Sequence, residues 1–334
     1  MQNEIVFSSR QGRKVWNTLN SVAHNYDQED TPLELESVAH DILKMIIDDT
    51  VLKKISAVSD NKISYLVIRN FLSIQSLPFT PIDNASPDTP GWRIPASALL
   101  GLLRLSGHSA RSFLDEMNGR LCHMVMPAKN NEKSFNRSTK KLGFHTEVVN
   151  GYFMEEDPMP GNPISPDAFG LLGLRNPDSI ATTVIPLESV LKSLTPKVIE
   201  SLMKPQFSAI SQSSFDREFS INNISVLKKL HDGGMGLRYS NSKVTANNLE
   251  AAKALQALAD TINRSENITQ VVLHPGDVLL LNNRTCIHGR DAIAGTQKFD
   301  GMDRWLIRIY GYKLASLSML KTLPNKKHII TVDM

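Results

Sequence analysis

Two imidazoles and a carboxylate, in His145-Thr146-Glu147 and far downstream in His288, are the side chains of this sequence best placed to share a metal ion. On an extended strand, residues two apart face the same way, so His145 and Glu147 can reach one ion while Thr146 points away. A histidine from a distant strand then completes a two-histidine, one-carboxylate triad, which holds Fe(II) by one face of its octahedron and leaves three positions open. If 2-oxoglutarate takes two of them and O2 the third, the distal carboxylate of that cosubstrate needs a fixed cation in a partly buried setting. Arginine suits the task, being permanently charged and able to grip a carboxylate with a planar fork. Arg304 follows His288 by sixteen residues, room for a turn and a return along a neighbouring antiparallel strand. Arg308, four residues on, shares its face if the strand continues.

Strands must deliver these groups. Pro275-Gly276-Asp277 reads as a turn into a buried strand, Val278-Leu279-Leu280-Leu281, which carries Asn282, Asn283, Arg284 and His288 at its far end. Phe169 to Arg175 reads as another buried strand with a turn at Asn176-Pro177-Asp178, and Ile63 to Phe71 and Met117 to Met126 as two more. Thr31-Pro32-Leu33-Glu34 opens a helix whose apolar positions recur through about residue 55. Further helices are expected over Pro95 to Leu105, Pro186 to Met203 and Asn247 to Ile262. Gly233-Gly234-Met235-Gly236 follows no strand-to-helix pattern suited to phosphate and reads as a turn.

The stretches Leu142-Gly143-Phe144-His145-Thr146-Glu147, Leu174-Arg175 through Ala181-Thr182-Thr183, Gly276 to Asn283 and on to His288, and Asp300 to Arg308 occur in an order that resembles the clavaminate synthase-like Fe(II)/2-oxoglutarate-dependent oxygenases, a group that includes asparagine oxygenase and arginine and lysine hydroxylases. The resemblance covers residues 95–313. It implies His145, Glu147 and His288 as iron ligands, Arg304 as partner of the cosubstrate's C5 carboxylate with Arg308 as its rival, and Thr183, ahead of Thr182, as a hydroxyl donor to the cosubstrate. Arg308 matches an arginine near the substrate carboxylate. The segment between Tyr152 and Ala168, with Glu155-Glu156-Asp157 and several prolines, departs from the family in being longer and more acidic.

The fold so implied is mainly β with helices: a double-stranded β-helix, or jelly roll, over 95–313, with helices packed on one sheet and a helical and stranded N-terminal extension over 1–90, all in one oxygenase domain of 334 residues. Composition agrees with a globular protein able to bury a core, 41% hydrophobic and 21% charged. The net charge of +3 is too small and too spread for a nucleic-acid partner. The densest basic stretch, Arg137 to Lys141, reads as a solvated loop. Cys122 and Cys286 form no disulfide framework, and no apolar run approaches the length of a signal core at Met1 to Arg13 or of a membrane span, so a cytoplasmic enzyme is expected. Asn267-Ile268-Thr269 matches a glycosylation pattern that such a setting would leave unused.

The activity implied is hydroxylation of an unactivated C–H bond of a free L-amino acid, with Fe(II), 2-oxoglutarate and O2 consumed or bound and succinate and CO2 released. Lysine or arginine is favoured because Glu155, Glu156, Asp157 or Asp232 could hold a cationic substrate tail. Alternatives are the same chemistry on a carrier-bound or peptidyl residue, desaturation or cyclisation, and a metal-binding jelly roll without turnover. A zinc hydrolase leaves the arginine after His288 without a role. His123, His231 and His274 have no partner at ligand spacing and read as core or surface histidines, Cys286 as a small buried hydrophobe, and Arg175 as an ion-pair partner.

Overall fold

The computed structural model describes residues 3–82, 92–127, 139–266, 268–293 and 297–332; Arg137, Ser138 and Asn267 lie outside them. Along the chain run β1 (Glu4–Val6), α1 (Ser9–Ala23), α2 (Pro32–Ile46), α3 (Asp49–Ser56), β2 (Tyr65–Arg69), α4 (Arg93–Leu105), β3 (His108–Phe113), β4 (His123–Val125), β5 (Leu142–His145), β6 (Ala168–Arg175) and β7 (Ala181–Pro186). There follow α5 (Leu187–Leu191), α6 (Pro196–Leu202), β8 (Phe207–Ile210), β9 (Ser220–Ile224), β10 (Leu227–Lys229), β11 (Met235–Leu237), β12 (Val244–Ala246), α7 (Leu249–Asn263), β13 (Thr269–Val272), β14 (Val278–Asn282), β15 (Cys286–Arg290), β16 (Trp305–Lys313), β17 (Thr322–Leu323) and β18 (Lys326–Ile330).

A nine-stranded sheet has the order β1-β2-β14-β6-β16-β3-β18-β17, with β4 also on β16; a four-stranded sheet runs β13-β7-β15-β5. Alternation along the strands of the large sheet assigns its two faces. Leu279 and Leu281 of β14, Phe169 and Leu171 of β6, and Leu306 and Tyr310 of β16 share one core with Val184 and Ile185 of β7 and Ile287 of β15. Val278, Leu280, Leu172, Trp305, Ile307 and Ile309 turn the other way and pack with α1, α2 and α4. A sheet covered on both faces needs strands that are apolar throughout, hence the uninterrupted Val278 to Leu281. Each fully buried leucine in it stabilises the fold by roughly 1.5–3 kcal/mol.

Helix α4 lies between α2 and the sheet and is buried along Ile94 to Leu103, so it is apolar all round. Gly101 lets it approach α2, since a Cβ there would stand 2.7 Å from Leu43 Cδ1 and 2.9 Å from the Ala39 backbone. Gly276 sets the entry to β14: its φ is +87°, and a Cβ would fall 1.8 Å from the Leu72 carbonyl oxygen.

Several elements depart from the sequence reading. The helix expected from Pro32 to about 55 is broken at Ile47, whose extended backbone (φ −102°, ψ 135°) separates α2 from α3. Pro186 to Met203 is likewise two helices, because Thr195 and Pro196 start a new one, the Thr195 hydroxyl accepting from the Val198 N–H. The strand expected over 117–126 shrinks to β4, as Met117 and Asn118 take positive φ of 52° and 57°. Helix α1 was not anticipated, although Ser8 and Gln11 form a reciprocal capping box.

Candidate functional site

Strands β5 and β15 pair antiparallel with His145 directly opposite His288, which puts both side chains on one face. Their rings lie 4.1 Å apart between centroids, and Phe169 of β6 closes on His288 at 4.7 Å. Glu147 reaches them by a different route from the expected strand. Strand β5 ends at His145, and Val148 takes a φ of +53°, a left-handed conformation that a β-branched residue adopts only under constraint. The turn is clamped by Asn283, whose Oδ1 accepts from the Glu147 N–H (2.7 Å) while its Nδ2 donates to the Glu147 carbonyl (3.1 Å) and to that of Pro166 (2.9 Å). One possible ligand atom each from His145, Glu147 and His288 lie within 4.8 Å of one another, all buried.

The protonation states suit a metal. His145 Nδ1 lies 2.8 Å from the Gly143 carbonyl; a carbonyl only accepts, so Nδ1 carries the proton and Nε2 keeps its lone pair. Burial, helped by His288, lowers the His145 imidazole to about 4, which keeps it neutral at physiological pH. Burial by itself would raise the Glu147 carboxyl, but Arg308, then His288 and His145, overcome it and hold Glu147 well below the usual carboxylate range. Two imidazoles and a buried carboxylate are the donor set Fe(II) takes.

Arg308 sits behind this group. Its Nη1 donates to Glu147 Oε1 (2.8 Å), and its Nη2 to Glu116 Oε1 (3.2 Å) and to His123 Nδ1 (2.8 Å). Gln212 Nε2 holds the other Glu147 oxygen at 3.0 Å, and the Tyr310 hydroxyl lies 3.2 Å from it. Sequence reading missed Glu116, Gln212 and the clamp by Asn283. Only the last had a signal, paired asparagines at the end of an apolar strand.

Two cavities adjoin the triad. One, of about 420 Å³, is bounded by Glu147 and His288, by apolar walls from Val125, Leu142, Phe169, Leu171 and Leu306, and by Thr182, Arg290 and Arg304. Arg304 is 2% exposed, and its Nε and Nη1 have no hydrogen-bond partner among the described residues. Burial, and then the like charge of Arg290, lowers its guanidinium to about 9. A cation held in such a state attracts an anion. The expected preference for Thr183 is reversed: on β7, Thr182 is opposite Arg290 and lines the cavity, whereas Thr183 is opposite Gly289 and faces away.

The second cavity, a cleft of about 640 Å³, is bordered by His145, Glu147 and Arg308, by Gln212 to Ser214 and by Ser240 to Lys243. Asp232, expected there, does not line it. Asp232 lies in the exposed turn between β10 and β11, where its carboxylate accepts from the Gly234 N–H at 2.9 Å and from Asn61. The acidic loop stays away too: Glu155 accepts from the His231 N–H at 3.2 Å and Glu156 pairs with the buried Arg238, while Asp157 is exposed. Arg175 makes no ion pair among the described residues; it donates to the Thr80 hydroxyl and stacks over Trp305. Cys286 is buried in the inter-sheet core, and His123 in the Arg308 network.

In sequence, in fold and in the grouping of His145, Glu147 and His288, the chain resembles the clavaminate synthase-like Fe(II)/2-oxoglutarate oxygenases. Residues 203–313 match the CsiD family. An L-ornithine/L-arginine 3-hydroxylase of Catenulispora acidiphila is 26% identical over 221 residues, 58% of this chain and 60% of the relative. An L-asparagine oxygenase of Streptomyces coelicolor is 28% identical over 240 residues, 70% of this chain and 66% of that one. The chain thus spans less than two thirds of the length of these curated relatives. A crystal structure of asparagine oxygenase with Fe(II), (2S,3S)-3-hydroxyasparagine and succinate superposes with a TM-score of 0.82 at 21% identity, covering 99% of both chains.

Proposed function

We propose that this protein is a 2-oxoglutarate-dependent dioxygenase that hydroxylates a free L-amino acid, built as one domain around a double-stranded β-helix whose facing sheets are the nine- and four-stranded ones. The observation that carries the reading is the convergence of His145, Glu147 and His288 on one point beside a cavity lined by Arg304, whose Nε and Nη1 have no partner among the described residues. The three residues hold Fe(II), and Arg304 pairs with the C5 carboxylate of 2-oxoglutarate, with Thr182 beside it. When bound, iron and cosubstrate supply the oxidative chemistry that splits 2-oxoglutarate into succinate and CO2 and places an oxygen atom on a C–H bond.

The chain's own residues position and insulate. Asn283, Gln212 and Tyr310 fix the Glu147 carboxylate at both its backbone and its side chain. The apolar walls of the smaller cavity exclude water and so strengthen the pairing of Arg304 with an anion. Arg308 orients the substrate carboxylate from the floor of the cleft, sharing its guanidinium with Glu147 and Glu116. Two buried, unbridged cysteines support a cytoplasmic setting; no helix among the described residues is long and apolar enough to cross a membrane.

The test is succinate release requiring Fe(II), O2 and 2-oxoglutarate together, with mass detection of each of the common amino acids. A product heavier by one oxygen atom supports the proposal. No hydroxylated amino acid from the whole panel counts against it, and no succinate at all would leave only a metal-binding protein.

A further inference from the structure

The large cleft carries an unusual balance of charge. Among the described residues that line it, Glu147 is the only carboxylate, and its oxygens are already engaged by Arg308, His288 and Gln212. The rest of the lining is apolar at Leu142, Phe144 and Val149, carries serine hydroxyls that can donate or accept, and offers two nitrogen donors, from Lys243 and Asn241. The half-buried Lys243 lines it, and among the described residues no carboxylate pairs with its ammonium. Asn241 Oδ1 accepts from the Tyr239 hydroxyl, which leaves Nδ2 as the amide's outward atom; that nitrogen would stand 3.6 Å from a Cβ on Gly143, another lining residue. Ser213 Oγ is buried without a hydrogen-bond partner among the described residues.

A lysine, arginine or ornithine tail entering here would bring a second positive charge near Lys243 and find, among the described lining residues, no free carboxylate to compensate its lost hydration. An amide or carboxylate oxygen would meet donors on several sides. Resting on the function proposed above, we infer that the cleft selects an amino acid whose side chain ends in a carbonyl-type oxygen, amide or carboxylate, and rejects ammonium and guanidinium side chains, with Lys243 setting the sign.

The protein loaded anaerobically with Fe(II) and 2-oxoglutarate is titrated by calorimetry with L-asparagine, L-glutamine, L-aspartate, L-glutamate, L-lysine, L-arginine and L-ornithine. At least one of the first four binds about tenfold or more tighter than any basic one, as expected for one partly desolvated charge of the wrong sign. Lys243→Glu narrows that gap by about tenfold or more, through weaker binding of aspartate and glutamate and tighter binding of lysine and arginine. Lys243→Met, which avoids charge reversal should that disturb folding, weakens aspartate and glutamate while leaving the amides within about threefold. A basic amino acid as the tightest ligand, no binding by any of the four, or a gap unmoved in both variants overturns the inference. The function proposal is judged apart from this, by whether any amino acid stimulates succinate release in air.

Discussion

Replacing Arg304 with methionine tests the cosubstrate cavity in two opposite directions at once. Burial and Arg290 pull the Arg304 guanidinium down to about 9, from an ordinary value of about 12.5. A base lowered in the folded state costs stability at every pH below its folded value, so the full cost is present at pH 7.5. At about 1.4 kcal/mol per pH unit, that cost is up to roughly 5 kcal/mol. Because Arg304 is 2% exposed, little of it is screened away. Methionine keeps much of the stem's volume and removes the charge, so the ligand-free variant melts several degrees higher than the parent. The same substitution removes the partner of a buried carboxylate, worth about 2–5 kcal/mol, so affinity for 2-oxoglutarate falls on the order of thirtyfold to several thousandfold. Thermal melting without ligand and anaerobic calorimetry with Fe(II) and 2-oxoglutarate read the two effects. A variant that melts lower, or that binds 2-oxoglutarate within about threefold of the parent, refutes the assignment, and a larger loss in Arg290→Met would move it to Arg290.

Other substitutions probe the metal group and its support. His145→Ala abolishes both stoichiometric Fe(II) binding, read by metal analysis after gel filtration, and succinate release; retained turnover contradicts the ligand assignment. Asn283→Ala removes three hydrogen bonds around the Glu147 turn and lowers metal affinity by about 10- to 100-fold, the usual effect of losing support behind a ligand; an unchanged affinity in a metal titration would show the clamp to be idle. His108 is fully buried and its imidazole is lowered by burial to about 4. Its contribution to stability is complete above the ordinary histidine value near 6.5 and is lost as pH falls toward about 4, a decline of roughly 3 kcal/mol. Urea unfolding of the metal-free protein at several pH values shows this acid limb, to which the similarly lowered His145 and His328 add, and His108→Gln makes it shallower; the same slope in both proteins refutes the attribution.

Only part of the candidate metal group was legible locally: the spacing of His145 and Glu147 and the apolar strand Val278 to Leu281 are visible without any tertiary contact, while the link to His288, 143 residues on, came from the order of motifs that the family resemblance supplied, and the structure sets those two histidines opposite one another. The failures share the opposite cause. Whether Glu156 or Asp232 is available depends on Arg238 and Asn61, which lie 82 and 171 residues away in sequence, and no local pattern shows that a carboxylate is already paired. Thr182 and Thr183 differ by one register step, and a step of one exchanges faces. Pairing with the Arg290 strand, β15, rather than propensity, settled it. The two helices broken at Ile47 and Thr195 show apolar periodicity running straight through a change of direction, a weakness of periodicity itself.

The alternation along β16 bears on how this scaffold tolerates change. Arg308 looks into the gap between the sheets, while Trp305, Ile307 and Ile309 are embedded beneath the helices. Deleting or adding a single amino acid inside Trp305 to Lys313, ahead of Arg308, would exchange those sides for the strand beyond the change, sending a guanidinium into oil and apolar side chains toward His145, Glu147 and His288. Length variation in kindred proteins should therefore gather before Arg304 or beyond Lys313, with only even-numbered changes surviving within the strand.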